Sequence, residues 1–115
     1  MEEAFKVIKT YLMIKMPKEL DHHQAMRIKD TADKYIEGKD IEHVIFDFED
    51  TEFMDSSGIG VIMGRYQKMN YLGGEVAAIH VNKRIRRIFQ LSGLYKIVHI
   101  IEENVTEQEH RREFS

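Results

Sequence analysis

No cysteine occurs in this chain, proline occurs once, and no apolar run is long enough to cross a bilayer. Without cysteine there is no disulfide, no thiolate metal site and no cysteine nucleophile, and the lack of disulfides fits a reducing compartment. The opening residues Met1-Glu2-Glu3-Ala4-Phe5-Lys6 are acidic and lack the apolar core of a signal peptide. The expected location is therefore the cytoplasm, with no membrane partner. A charge excess of one sign is also missing. The 17 basic and 20 acidic residues leave a formal charge of -3, which supplies no global field to attract nucleic acid or an anionic membrane. Partners are then to be chosen by a local surface. No repeat or low-complexity linker divides the 115 residues, and that length builds one domain, residues 1–115, around one core.

What is present is a succession of apolar patterns with different periods. Phe5-Lys6-Val7, then Leu12, Ile14 and Met16 with Tyr11, Met13 and Lys15 on the opposite face, read as two strands. The turn between them at Lys9-Thr10 lacks the Gly or Asn that a tight hairpin prefers. Pro17 ends the second strand and opens a polar stretch, Lys18 to His23, in which Asp21 is a helix cap. Ala25, Ile28, Ala32, Tyr35 and Ile36 recur at helical spacing from His23 to Glu37, and Gly38 stands where a left-handed C-terminal residue is wanted. His43-Val44-Ile45-Phe46-Asp47-Phe48 is apolar at nearly every position, the pattern of a central strand covered on both faces. Helical spacing returns at Ile59, Ile62, Met63, Tyr66 and Met69 and stops at Gly73-Gly74. Glu75 to Ile79 reads as a strand, and Asn82 caps a helix from Lys83 to Leu91 that buries Ile85, Ile88 and Phe89 and ends at Gly93. Ile97 to Ile101 is a last strand. The tail from Glu102 to Ser115, polar apart from Val105 and Phe114, is compatible with a short C-terminal helix or a frayed end. The order β-β-α-β-α-β-α-β predicts an α/β fold with a mixed, mostly parallel sheet and right-handed helical crossovers.

The stretch Met54-Asp55-Ser56-Ser57-Gly58-Ile59-Gly60 joins the central strand to the central helix. One small polar residue is enough to cap a helix, because one side-chain oxygen accepts an unpaired amide of the first turn. Asp55, Ser56 and Ser57 together leave at least one serine hydroxyl that capping does not need. The turn lies at the carboxyl edge of the strands, where such sheets meet ligands and partners. Gly58, Gly60 and Gly64 cost roughly 1 kcal/mol each inside a helix, a cost that close approach to a neighbouring backbone would offset. Other chemistries find less support. The Gly-x-Ser-x-Gly elbow of a serine hydrolase is missing, and the glycines match neither a dinucleotide fingerprint nor a P-loop. The six histidines form no metal spacing, and His22 and His23, adjacent on a helix, point about 100° apart. Lys83-Arg84-Ile85-Arg86-Arg87 is brief and interrupted by the apolar stripe, so it reads as a solvated helix face rather than a nucleic-acid surface. Asp47 reads as a polar group at a strand end, and Met63 and Met69 as core or interface fillers.

The run Phe53 to Tyr66 resembles the signature of the anti-sigma-factor antagonists, small bacterial regulators built on the STAS domain. Glu19-Leu20-Asp21-His22-His23, Gly73-Gly74-Glu75, Lys83-Arg84-Ile85 and Leu91-Ser92-Gly93-Leu94 resemble the family in the same order, so the likeness spans about residues 12–101. Within the family it is nearest to the sporulation anti-anti-sigma factors. Where the family carries a Gly before Glu-Leu-Asp, this chain has Pro17-Lys18. The resemblance implies a STAS-like fold and a non-enzymatic regulator of transcription, without cofactor or metal and with no direct contact to nucleic acid. It implies binding to a kinase-type anti-sigma factor, which releases the sigma factor. That serine kinase, using ATP, would phosphorylate Ser57, the second serine of the motif, and a protein phosphatase would reverse the step. The phosphorylated form would no longer hold the kinase. The expected contact surface is Asp21, His22, His23, Asp55, Ser56, Ser57, Gly58 and Ile59. The reading from a different class is a STAS module that binds a small ligand or nucleotide at the same edge, or that serves as a scaffold in a larger regulatory assembly.

Overall fold

An N-terminal hairpin starts the sheet. In a computed structural model that describes residues 2–102, β1 (Phe5–Ile8) runs antiparallel to β2 (Tyr11–Lys15) across the Lys9-Thr10 turn. Lys9 takes φ 56° there, a left-handed conformation that costs a residue with a Cβ roughly 1–2 kcal/mol. The Thr10 carbonyl accepts the amides of Glu42 at 2.8 Å and His43 at 3.1 Å. The turn is thus held from outside, which is how it does without glycine.

The chain continues through β3 (Glu19–Leu20), α1 (His22–Gly38), β4 (His43–Asp47), β5 (Phe53–Met54), α2 (Ser56–Tyr71), β6 (Glu75–Ile79), α3 (Lys83–Ser92), a 3-10 turn at Leu94–Lys96 and β7 (His99–Ile100). The main sheet has the order β1-β2-β4-β6-β7 and is parallel except at its first pair. From β2 onward every step goes the same way, so right-handed crossovers place the helices on one face. Register aligns Phe5, Ile14, Phe46, Ala78 and Ile100 in one row across the sheet, and Val7, Leu12, Val44 and Val76 in the next. Most of these pack with Ile28, Ile62, Met69, Ile85 and Phe89 of the helices into one core, each large buried side chain contributing roughly 1.5–3 kcal/mol. Phe48 and Phe89 meet edge to face at 5.7 Å and fix α3 over the end of β4.

Several local expectations are corrected by this packing. Only one face of β4 enters the core: Val44 and Phe46 belong to it and Ile45 does not. Ile45 is nonetheless buried, paired in register with Met13 and Ala77 of the flanking strands, so the strand reads as apolar throughout without a helical layer on both sides. The last strand is shorter than Ile97 to Ile101, because the turn at Leu94–Lys96 occupies the approach and Val98 is buried below it. Gly93 ends α3 at φ 85° as expected, whereas Gly38 stays helical and extended Lys39 ends α1. Of the three glycines of α2, Gly60 and Gly64 face open space and only Gly58 is crowded. The close approach to backbone occurs instead at Gly74, where a Cβ would lie 2.7 Å from the Glu42 carbonyl oxygen. The expectations for the tail concern residues 103–115, outside the described residues. Among those described, no helix is long and apolar enough to cross a membrane.

Candidate functional site

Two short strands, β3 and β5, pair in parallel beside the main sheet, with Glu19 opposite Phe53 and Leu20 opposite Met54. A two-residue strand carries no periodicity, so neither was legible as a pattern. Around them the loops are stitched together. The Lys18 carbonyl accepts the amides of Glu52 at 2.8 Å and Phe53 at 3.2 Å, and the Asp55 amide donates to Leu20 at 3.3 Å. Thr51, fully buried, donates its hydroxyl to the Pro17 carbonyl at 2.9 Å, while its own carbonyl accepts Asn82 Nδ2 at 3.1 Å. Pro17-Lys18 is thereby built into the support of the loop, and Thr51 is a positioning residue that the motif reading passed over.

The pairing has a direct consequence for the helices. Asp21 follows β3 and Asp55 follows β5, so α1 and α2 start side by side and run the same way. Asp21 Oδ1 accepts the Gln24 amide at 3.0 Å; Asp55 Oδ1 accepts the amides of Ser57 at 2.8 Å and Gly58 at 3.3 Å. Each carboxylate also faces the positive end of its helix dipole. Asp55 therefore does the capping, and the hydroxyls of Ser56 and Ser57 are left for other uses. Ser56 is exposed. Ser57 is half-buried, with Oγ 3.3 Å from His22 Nδ1, a contact whose donor depends on the imidazole tautomer. His22 and His23 are both exposed, and Ile59 is partly buried against the core. Gly58 lies beneath this surface: a Cβ there would come within 2.6 Å of Met54 Cγ and 2.8 Å of Leu20 Cγ. The structure brings Asp21, His22, Asp55, Ser56 and Ser57 to one edge and sets Gly58 below it as the packing point.

Below Ser57 a groove of about 300 Å3 runs between α1 and α2, with Met26 and Lys29 on one wall and Gly60 and Gly64 on the other. At its foot is Arg65, only 5% exposed. Its Nε stands 3.1 Å from Asp33 Oδ1. Lys68 Nζ is 3.5 Å from the same oxygen and 2.5 Å from Glu37 Oε2. The hydrogen bond between Lys68 and Glu37 is the main reason that the ammonium is held above its usual pKa and the carboxyl below its own. Arg65 was missed because a charge counts against burial. The available signal was its place on the row Gly58, Ile62, Arg65, Met69, spaced as one helix face. Elsewhere on the carboxyl edge, Asp47, Glu49 and His80 bring ligand atoms within 4.8 Å of one another. Asp47 Oδ1 there already accepts the Glu49 amide at 2.9 Å and lies 2.8 Å from His80 Nδ1, as suits a polar group at a strand end.

This geometry can be set beside known proteins. The pattern that defines the STAS domain matches residues 4–108. A relative from Paenibacillus polymyxa, an anti-sigma F factor antagonist, is 39% identical over 94 residues, which is 82% of this chain and 80% of the relative. The solved structure of the anti-sigma factor antagonist SpoIIAA in its unphosphorylated form is similar with a TM-score of 0.77 at 27% identity, over 93% of this chain and 94% of that one. The phosphorylated form of the Bacillus cell fate determinant SpoIIAA gives 0.69 at 28% identity, over 92% and 98%. A mostly parallel sheet with three helices on one face, a capped serine turn at its carboxyl edge, and a match running through nearly the whole length together show that the chain belongs to the STAS domain family.

Proposed function

We propose that this chain is an anti-sigma factor antagonist whose unphosphorylated form binds a kinase-type anti-sigma factor and sets the sigma factor free, and that phosphorylation of Ser57 switches that binding off. The observation that carries the proposal is the division of labour at the head of α2: Asp55 satisfies the first-turn amides, and the Ser57 hydroxyl is left at the edge beside His22. In the forward step the γ-phosphoryl of ATP passes to Ser57 Oγ, the hydroxyl proton leaves to a base of the kinase, and ADP departs. A phosphatase returns the hydroxyl by hydrolysis. All of this takes place in the cytoplasm, with the chain as substrate and binding partner rather than as enzyme.

The switch follows from electrostatics. A phosphoserine carries about -1.5 to -2 charges at neutral pH and three acceptor oxygens. At the start of α2 those charges face the positive dipole end, an interaction of roughly 0.3–2 kcal/mol, so the fold tolerates them. The partner does not. Asp21 and Asp55 already make the edge acidic, and a surface fitted to a neutral hydroxyl would have to desolvate the added charge, with each ~1.4 kcal/mol of penalty weakening binding about tenfold. The test uses the purified chain, a kinase-type anti-sigma F factor and ATP, read by intact mass, site mapping and calorimetry. One phosphoryl group should appear on Ser57; Ser57→Ala should bind and resist inactivation, and Ser57→Asp should fail to bind. Equal affinity of the two variants would overturn the switch.

A further inference from the structure

Three residues of each helix face one another across the groove below Ser57. On α1 the stripe is His22, Met26, Lys29; on α2 it is Ser57, Gly60, Gly64, and Arg65 closes the foot. Both stripes follow the spacing of one helix face. From head to foot they rise about 10 Å. On α2 the groove is shaped by two missing side chains. Nothing lies within 4 Å of where a Cβ of Gly60 or of Gly64 would stand, so these glycines, unlike Gly58, relieve no crowding inside the fold. Glycine in a helix interior is nonetheless unfavourable by roughly 1 kcal/mol against alanine. Two such positions on one exposed row keep open a space that the fold itself does not use.

The foot of the groove carries a charge imbalance. Asp33 is shared by three cations, Lys29 at 3.8 Å, Arg65 at 3.1 Å and Lys68 at 3.5 Å, of which only Lys68 has a second carboxylate, Glu37, among the described residues. Among the described residues, no acidic side chain lines the groove itself. Arg65 is buried, yet its Nε lies off the line of a hydrogen bond to Asp33 and its Nη1 has no hydrogen-bond partner among the described residues. A buried guanidinium with an unsatisfied N–H is costly, and Arg65, its Nε and Nη1 closed to solvent, adds positive charge under the floor of the groove.

We infer that the groove between α1 and α2 is a docking slot for an acidic side chain of the partner protein, an Asp or Glu whose carboxylate pairs with Lys29 Nζ above the buried Arg65 guanidinium. The inference rests on the proposed function, since the partner is the kinase that also reaches Ser57. It adds a second anchor about 10 Å from the phosphoacceptor: the segment that carries the carboxylate crosses Gly60 and Gly64, where only hydrogen atoms stand in its way. The hydroxyl at the head then reports modification, and the cations at the foot hold the segment in register with it.

The test measures the affinity of the kinase-type anti-sigma F factor for the full chain and for two variants. Gly60→Ala/Gly64→Ala should melt several degrees higher than the wild type, since alanine favours the helix, and still bind the kinase at least about tenfold more weakly. Lys29→Glu gives up its pair with Asp33 and should melt only a few degrees lower, yet lose at least about tenfold in affinity by like-charge repulsion of the partner's carboxylate. Zero-length carbodiimide coupling of the wild-type complex, mapped by mass spectrometry, should join the Lys29 amine to an Asp or Glu of the kinase. If both variants bind within about twofold of wild type and Lys29 couples to nothing, while Ser57→Asp still abolishes binding, the slot is wrong and the proposed function stands. If the wild type does not bind the kinase at all, both fall together.

Discussion

At the head of α3, Asn82 Oδ1 accepts the Ile85 amide at 2.9 Å, Asn82 Nδ2 donates to the Thr51 carbonyl at 3.1 Å, and Arg84 Nη1 donates to the Glu52 carbonyl at 3.1 Å. At the head of α2, Asp55 alone takes two amides, and the serines that follow it give their hydroxyls to no cap. The two helices enter by the same device and differ in what they leave over. Around α3 the polar atoms hold loop to helix, and Lys83, Arg84 and Arg87 open onto a broad, shallow concavity that Glu52 partly neutralises. Around α2 a second helix head stands alongside, with its own carboxylate cap and with His22 against Ser57. The third residue after each cap differs in the same sense: Ile85 is fully buried in the core, whereas Gly58 is wedged against Leu20 and Met54. A capped helix start is a requirement of the fold; a surplus hydroxyl beside a second helix start is not, and that is the ground for assigning function to one head and structure to the other.

Exchanging the residues at this third position should produce the largest effects. Gly58→Ile places a Cβ within 2.6 Å of Met54 Cγ and adds three further carbons behind it, so it should destabilise the fold by at least about 3 kcal/mol, the upper range for overpacking. Ile85→Ala should cost roughly 2–4 kcal/mol through the cavity it leaves in the core. Urea unfolding measures both. The folded fraction of Ile85→Ala should still bind the anti-sigma factor, because the edge around Ser57 is untouched. A milder effect for Gly58→Ile than for Ile85→Ala would mean that α2 is not pinned to β3 and β5 as described.

Removing the caps should have smaller effects that differ in character. Asp55→Ala gives up two amide contacts and a charge at the dipole, for roughly 1–2 kcal/mol; Asn82→Ala gives up a neutral cap and its bond to Thr51, for about 1 kcal/mol. Thermal melts at low and high salt separate them. The Asp55→Ala penalty should shrink as salt screens the dipole interaction, and the Asn82→Ala penalty should not. A salt-independent Asp55→Ala penalty would reduce Asp55 to a hydrogen-bonding cap and remove the electrostatic part of the contrast.

How much of this was legible in the sequence depended on the range of the interaction responsible. Glu75 to Ile79 was read to the residue and Asp21, Asp55 and Asn82 were read as caps or candidate caps, because period and cap chemistry are local. β3 and β5 were not legible, since each exists only through the other, more than thirty residues away in the chain. Their pairing is what puts His22 next to Ser57. Gly58, Gly60 and Gly64 look alike as letters; whether a glycine yields to a neighbour or leaves a space is decided by what the rest of the chain brings near. Arg65 stood on the apolar row in plain view, but its burial needs Asp33 from another helix. The serine itself was the most legible candidate for a functional feature, because three polar residues at a position that needs one is a surplus visible in the chain alone.

The smallest expected effect lies at the head of α3, and it is the one that most sharpens the contrast. Lys83 and Arg84 are exposed, and the bond from Arg84 to the Glu52 carbonyl is at the surface. Lys83→Ala/Arg84→Ala should therefore change stability by no more than about 0.5 kcal/mol. If the contact surface is the edge formed by the heads of α1 and α2, calorimetry should also find anti-sigma factor affinity within about twofold of the wild type. The net charge becomes more negative by two in this variant, so a modest slowing of association with an acidic partner, or acceleration with a basic one, should vanish at high salt. A loss of affinity that survives high salt would place the basic face of α3 inside the interface. The division between a structural head and a functional one would then fail, and the concavity lined by Lys83, Arg84 and Arg87 would belong to the same binding surface as Ser57.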